Sequence, residues 1–442
     1  MKSAFKTAAV VFMMMAVVVG FTACGGYNIP HHTPHQYQIA VEGNVTLSVK
    51  ATTQKEMLSY HAFIKEFENT CPEASVSLDT LGGDLDARIA SGDIGDVFVF
   101  NADRLSHLVE TRTLIKLDLY ASHLGFDFSN IYSAAYDAGT YSGGLYMVSV
   151  DYARLSLVAN KDALSEEGLD LPSNDWTWRE FREDYAQKLV KINEDGAYSQ
   201  VPMFLDLNWD LVYIAFMEGW GGKWYDTVNR KISLLSDEDV LSGITEMFEA
   251  ADEGYLYPTG KITSDYDGLE KSDYVFHQML YSNLKDYGEE YDGLGVDWDI
   301  ASFPLLPTPK VGTYITGAGV YCRTKRPDTA AVLALFFNTE EGQKAFHGEK
   351  GGGVPVFKTF EKSDFWRKRE SSWEGKNMDA FICYPEYDTV GHLSAKVPEG
   401  VADLIKTPWS LMLEQYFNGT KHFMDWLDEI EREASEYWQK LD

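Results

Sequence analysis

The chain has 442 residues, 45% hydrophobic and 14% aromatic, with 38 basic against 68 acidic side chains and a formal net charge of −30. That much apolar material excludes a disordered chain, and the length suits two lobes better than one core. A surface this negative repels polyanions and so excludes nucleic acid as a partner. It suits an uncharged or cationic small ligand, or it serves solubility alone.

Lys2 and Lys6 precede an apolar run over residues 7–23. The charged start, the apolar middle and the small residues beside the expected cut predict a secretory signal over residues 1–23. The run ends at Phe21-Thr22-Ala23-Cys24, followed by Gly25-Gly26. A cysteine directly after the cut resembles the lipobox of bacterial lipoproteins, with Phe21 where leucine is usual. The resemblance implies that Cys24 is lipidated, becomes the mature N-terminus and tethers the protein to a cell membrane. An uncleaved anchor and an ordinary signal with a chance cysteine stay open. No later apolar run is long enough to span a bilayer. Residues 24–43, rich in Gly, Pro, His and Gln, predict a flexible tether. The histidines there (His31, His32, His35) lack acidic or thiol partners, so no metal site is expected. The remaining cysteines, Cys71, Cys322 and Cys383, show no metal-binding spacing and leave either one disulfide or three free thiols.

The fold begins with an alternating strand over 44–49. A helix follows, with Met57, Leu58, His61, Phe63, Ile64 and Phe67 near helical spacing, and Pro72 ends it. A strand over 74–78, a short helix over 85–90 and a buried strand over 96–100 complete a βαβ pattern. A strand pair over 145–150 and 155–159 leads to a helix start at Asn160-Lys161-Asp162. Helices are expected over 176–189 and 238–252, and a strand over 202–205. Short strands are expected over 279–282 and 320–323. A helix opens at Pro327, and an amphipathic helix over 424–438 closes the chain.

Several segments together resemble the extracellular solute-binding proteins of ABC importers, in the branch that binds sugars and oligosaccharides. Residues 85–99 are similar to the family's "iasGdxPDvv" segment, with Gly95 in place of the usual proline. Residues 144–152, Asn160-Lys161-Asp162, Glu167-Gly168-Leu169, Pro172 and Trp176-Thr177-Trp178 look like its most specific stretch, with Val150 where proline is frequent. Residues 219–226, 317–320, 340–343, 351–356 and 426–430 follow in the family's order. The resemblance implies an α/β fold of the two-lobed, periplasmic-binding-protein type (type II), with lobes joined by crossing strands and a ligand cleft between them. It implies crossings near Val150, near 279–282 and near 353–357. Lobe 1 is then 44–150 with 283–353, and lobe 2 is 151–282 with 354–442.

A sugar presents hydroxyls and flat C–H patches, so its cleft needs carboxylates, amides and aromatic faces. Such ligands sit at the carboxyl ends of parallel strands. On that basis the candidate ligand-binding residues are Gln54, Asp103, Asp151, Tyr152, Trp209, Trp220, Gly317 and Gly319. Each has a structural alternative. Asp103 suits a helix cap, and Gln54 a helix start. Asp151 and Tyr152 suit hinge packing, and the tryptophans suit the core. The glycines suit turns or a close backbone approach.

The expected function is a lipid-anchored receptor that captures a mono- or oligosaccharide and delivers it to a membrane permease, as a monomer without cofactor. A secreted glycoside hydrolase and a sugar sensor without transport are the alternatives. The sequence shows no Ser-His-Asp pattern, HExxH, Walker loop or dinucleotide fingerprint.

Overall fold

The computed structural model describes residues 39–441 apart from 52, 81, 195, 259–272 and 349–352. The signal, Cys24 and His31, His32 and His35 lie outside the described residues. No helix among the described residues is long and apolar enough to cross a membrane. Cys71, Cys322 and Cys383 are free thiols.

The first lobe opens as the periodicity predicts. Strand β1 (Gly43–Val49) leads to helix α1 (Gln54–Thr70), strand β2 (Ala74–Thr80), helix α2 (Leu85–Ser91), strand β3 (Val97–Asn101) and helix α3 (Leu105–Glu110). β1 lies parallel to both β2 and β3, and its Val45, Leu47 and Val49 are fully buried. α1 starts at a reciprocal cap. The Thr53 side chain accepts from the Glu56 N–H, and the Glu56 carboxylate accepts from the Thr53 N–H. Its inner face carries Phe63, whose ring stacks on Phe337 at 3.7 Å. Gly95 donates its N–H to Ser48 Oγ at 2.9 Å, and a Cβ there would meet that oxygen and the Thr46 carbonyl at 2.7 Å. This chain therefore uses a backbone donor that a proline would lack.

The chain then passes through strands β4 (Met147–Arg154), β5 (Ser156–Asn160) and β6 (Tyr198–Leu205). Helices α4 (Asp210–Glu218) and α5 (Glu238–Asp252) follow, then strands β7 (Leu256–Pro258), β8 (Tyr274–Met279), β9 (Trp298–Ser302) and β10 (Val311–Val320). The last third holds helices α6 (Pro327–Phe336) and α7 (Glu340–Gly348), strand β11 (Asp388–Val390), and helices α8 (Glu399–Phe417) and α9 (Phe423–Lys440). One sheet runs in the order β11-β10-β3-β1-β2, with β4 also paired to β10. The other runs β7-β6-β8-β5-β9. These are the two α/β lobes.

Three boundaries differ from the sequence reading. β11 (Asp388–Val390) pairs with β10 on the first sheet, so residues 388–390 belong with lobe 1 and the last return to lobe 2 falls after Val390, not near 353–357. β4 stays on the first sheet as far as Arg154, and only Leu155 separates it from β5 on the second. The strand expected at 279–282 lies at β8, followed by a 3-10 turn at Tyr281–Asn283. Nor does the chain cross there. Helix Leu284–Leu294 leads into β9, which pairs antiparallel with β5 on the second sheet. The chain rejoins the first sheet at Val311, so residues 283–302 belong with lobe 2. The strand expected at 320–323 is the end of the ten-residue β10.

Each lobe has its own core. Phe63, Phe67, Ala318 and Leu333 lie in the first, and Phe216, Phe248, Trp409 and Leu427 in the second. A third cluster joins Phe98 and Phe100 of lobe 1 to Val158, Trp298 and Ile300 of lobe 2 through Trp366, Trp373 and Phe381. The joint is therefore packed with apolar side chains on one side, and its polar groups gather elsewhere.

Candidate functional site

The polar groups of the joint assemble at the carboxyl ends of β3 and β6. After β3, residues 102–104 form one 3-10 turn into α3. Asp103 does not cap a helix there. Its carbonyl accepts from Ser394 Oγ, and its Oδ1 is buried without a hydrogen-bond partner in the protein. Burial pushes its carboxyl above the ordinary range; nearby His392 pulls it down, Asp210 pushes it up, and Lys406 and Arg104 pull it down.

On the second lobe, β6 ends at Leu205. The Asp206 N–H donates to Gln278 Oε1 at 2.6 Å, and the Asn208 N–H to Asp206 Oδ1 at 3.0 Å. This turn sets Trp209 half-buried at the N-terminus of α4, against the second core. Asp210 follows, buried as the first residue of that helix. His392, between β11 and α8, is 2% exposed. Its Nδ1 lies 3.6 Å from Asp210 Oδ2, its ring meets Tyr314 of β10 edge-on at 4.9 Å, and its Nε2 is buried without a partner. Burial, then the nearby Asp103 and Asp210, push the Tyr314 hydroxyl up to about 12.

The lobes are clasped beside this cluster. Arg104 reaches Asp86 at 2.6 Å and Glu399 at 3.2 Å, and His107 pairs with the same Glu399. Glu399 opens α8, where the helix dipole favours an anion.

The structure distributes the remaining expected residues differently. Asp151 takes the Gly353 N–H on Oδ2 at 3.2 Å and the Tyr152 N–H on Oδ1 at 3.0 Å, so it clips β4 to the segment that follows α7. Burial pushes its carboxyl up to about 7, against Arg369 and the Gly353 N–H, with a small addition from Glu56. Tyr152 is fully buried and packs on Tyr132 at 4.8 Å, because the strand alternation turns it away from Asp151's face. Gln54 is the exposed first residue of α1. Trp220 lies half-buried along Phe216 at 6.1 Å and against Gly243, which makes it a lobe-2 packing residue. Gly317 and Gly319 are buried in β10. A Cβ on Gly317 would meet Met147 Cγ at 2.5 Å, and one on Gly319 would meet Phe100 and Leu114 at 2.8 Å. They permit sheet packing rather than approach to a ligand. Asp103 thus belongs to the polar cluster, and Trp209 precedes Asp210 in the chain while packing on the second core. Tyr152, Trp220, Gly317 and Gly319 lie outside it, and Asp151 belongs to the hinge.

Sequence reasoning missed Asp210, Tyr314 and His392. Asp210 stands in the Asp206-Leu207-Asn208-Trp209-Asp210 run after a predicted strand and was within reach. A lone histidine far along the chain carries no local signal.

A separate cavity of about 630 Å³ opens between the lobes, lined by Asp137, Glu218, Trp224, Lys310, Thr389 and Lys396 among others. It includes none of the expected ligand residues. Inside it Glu218 is held by Lys396 at 2.7 Å, Thr389 Oγ1 at 2.7 Å and Trp224 Nε1 at 3.1 Å. Burial pushes the Glu218 carboxyl up, but Lys396 and these donors outweigh it and hold it below the usual range. At the same joint Arg154 Nε lies 2.9 Å from Asp388 Oδ1, both side chains essentially inaccessible. The pair is close enough for charge attraction but not aligned as a hydrogen bond.

Two α/β lobes, an interlobe polar cluster and strands that cross between them define a two-lobed binding protein. The chain belongs to the bacterial extracellular solute-binding protein family, whose model matches residues 50–344. Its fold is shared with solved structures at low identity. An ABC substrate-binding protein from Listeria monocytogenes, in complex with cycloalternan, is 17% identical (TM-score 0.68; 90% of this chain, 99% of that one). The sugar-binding protein MalE from Xanthomonas citri is 15% identical (TM-score 0.70; 90% and 98%). A cyclic α-maltosyl-1,6-maltose binding protein from Arthrobacter globiformis is also 15% identical (TM-score 0.70; 90% and 99%).

Proposed function

We propose that the protein captures an uncharged mono- or oligosaccharide outside the cytoplasm and presents it to the permease of an ABC importer, without chemical turnover. The observation that carries this reading is the cluster at the lobe junction. Asp103, Asp210, Tyr314 and His392 come from both lobes and the strands between them, and Trp209 precedes Asp210 at the start of α4. Carboxylates accept from sugar hydroxyls, and Trp209 offers a face for the C–H patches. The solved relatives in complex with, or named for, oligosaccharides support the same ligand class.

Binding would act by population shift. A ligand touching both lobes favours the closed form by its differential affinity. A micromolar sugar supplies about 8 kcal/mol, within reach of a stacked ring and a handful of hydrogen bonds. Lipidation of Cys24 would keep the receptor near its permease as a membrane-held monomer.

A thermal-shift screen over mono- and oligosaccharides tests the reading, because a ligand selective for the folded state raises the melting temperature. Trp209→Ala should abolish the shift that the wild type shows. A full shift in the variant discards the stacking role, and new reducing ends after incubation with the same sugars defeat the receptor reading. Metabolic labelling with radioactive palmitate, absent from Cys24→Ala, tests the anchor.

A further inference from the structure

We propose that the cavity between the lobes is a second binding site, separate from the cluster around Asp103 and His392, and that it takes a small sugar acid of the hexuronate class. This inference goes beyond the neutral-sugar reading of the cluster and is tested apart from it.

The two sites sit at opposite ends of one helix. Asp210, the first residue of α4, belongs to the cluster, and Glu218, the last, lines the cavity. At a rise of about 1.5 Å per residue, the ends of this helix stand roughly 12 Å apart. No residue of the cluster lines the cavity, whose volume of about 630 Å³ is that of a small-molecule site. Its walls come from both lobes. Asp137 ends the short helix Ser133–Asp137 of lobe 1 and Thr389 lies on β11, while Glu218 and Trp224 belong to lobe 2. Hydrogen bonds hold these walls in place. Lys396 Nζ donates to Glu218 Oε1 at 2.7 Å and to Thr389 Oγ1 at 2.8 Å, and Trp224 Nε1 donates to the same carboxylate at 3.1 Å. A wall already ordered in this way costs a ligand little to engage.

Charge selects the ligand. Over the whole chain 68 acids face 38 bases, yet the cavity is lined by as many lysines as acids: Lys223, Lys310 and Lys396 against Asp137, Glu218 and Asp388. Two of the acids are already answered, Glu218 by Lys396 and Asp388 by Arg154, which is not itself part of the lining. Asp137 is left with Lys223 and Lys310, whose ammonium groups have no partner among the described residues. Burial raises the Asp137 carboxyl, and Lys396 opposes the rise. One positive charge is therefore in excess here, in a protein that is otherwise strongly negative, and a monoanion balances it. A phosphate would bring a second charge with nothing to answer it. Lys310 is half-buried just before β10, where salt screens it less than on the open surface. Thr308 and Tyr225 add hydroxyls with no hydrogen-bond partner among the described residues. One carboxylate for the lysines and several hydroxyls for the remaining polar groups describe a hexuronate.

The test is isothermal titration of the full mature chain with glucuronate and galacturonate, and with glucose and galactose as their uncharged matches. It is run on the wild type, Lys310→Gln and Lys223→Gln. Lys223 is exposed and Lys310 half-buried, and neither side chain belongs to a network that holds the fold, so both variants should fold as the wild type does. At least one acid should bind the wild type roughly tenfold or more tighter than its uncharged match, and less tightly as salt is raised. At least one of the two substitutions should weaken that acid by roughly tenfold or more, as expected for the loss of a charge-assisted hydrogen bond. Silence of both acids on the wild type, equal binding of an acid and its uncharged match, or acid binding that neither substitution weakens overturns the second site and leaves the neutral-sugar reading of the cluster standing. A neutral-sugar thermal shift lost in the same variant as acid binding shows a single site and also overturns it. Acid binding that depends on these lysines, in a protein that shifts with no neutral sugar, supports the second site and retires the reading of the cluster.

Discussion

Asp151 offers a pH-dependent test of the hinge. Its carboxylate is clipped to Gly353 and Tyr152 by two backbone N–H groups, and burial lifts its pKa from 3.8 to about 7. At ~1.4 kcal/mol for each tenfold change in acidity, that rise corresponds to about 4 kcal/mol. The residue keeps partial access to water, which roughly halves the figure to ~2 kcal/mol. The sign follows from a raised acid. The stabilising contribution is complete below the unfolded value near 3.8 and is lost as pH rises through about 7. Asp151→Asn has no proton to lose there, but it gives up one of the two accepted bonds, a pH-independent cost of about 1 kcal/mol. Urea unfolding of both proteins, measured as a pairwise difference between about pH 5.5 and about pH 8, should show the variant gaining on the wild type by ~1 kcal/mol across that range. A difference that stays flat with pH, or that moves against the variant on the alkaline side, refutes the account.

Two further expectations concern stability. Lys396→Met strands Glu218, whose side chain is only 13% exposed, with the Thr389 and Trp224 donors alone, and should cost about 3 kcal/mol in denaturant unfolding at neutral pH. Because Lys396 and these donors hold the Glu218 carboxyl below its usual range, the wild type should lose that contribution as pH falls through the folded value, while the variant loses less. Thr53→Ala removes the side-chain half of the α1 cap and should cost about 1 kcal/mol, seen as faster amide exchange in the first turn of α1.

The first lobe was legible because its signals are local. The helical spacing around Phe63, the Pro72 stop and the apolar run into β3 each act over a few residues. β10 was not legible, because Val311–Val320 mixes glycine and threonine with apolar residues, and its burial comes from β3, β4 and β11 pressing on it from both sides. The crossing after β8 was misplaced for a related reason. β9 owes its place to pairing with β5, a contact no local pattern announces. At the site, strand-end logic pointed to Asp103, which lies near His392 and Asp210, and to Trp209, which precedes Asp210. Naming both Asp151 and Tyr152 ignored the alternation of a strand, which sends neighbouring side chains to opposite faces. Asp210, Tyr314 and His392 meet only when three distant segments have docked, and no spacing rule encodes that.

The route of β10 bears on how the protein is made. The first sheet needs β1 near the start of the chain, β10 past its two-thirds point and β11 later still, while α9 at the far end covers the second core. Neither half can lock until the ribosome has nearly finished, and such distant pairing is slow. For a chain proposed to leave the cell, that delay keeps the polypeptide pliable enough to thread through an export pore before it hardens.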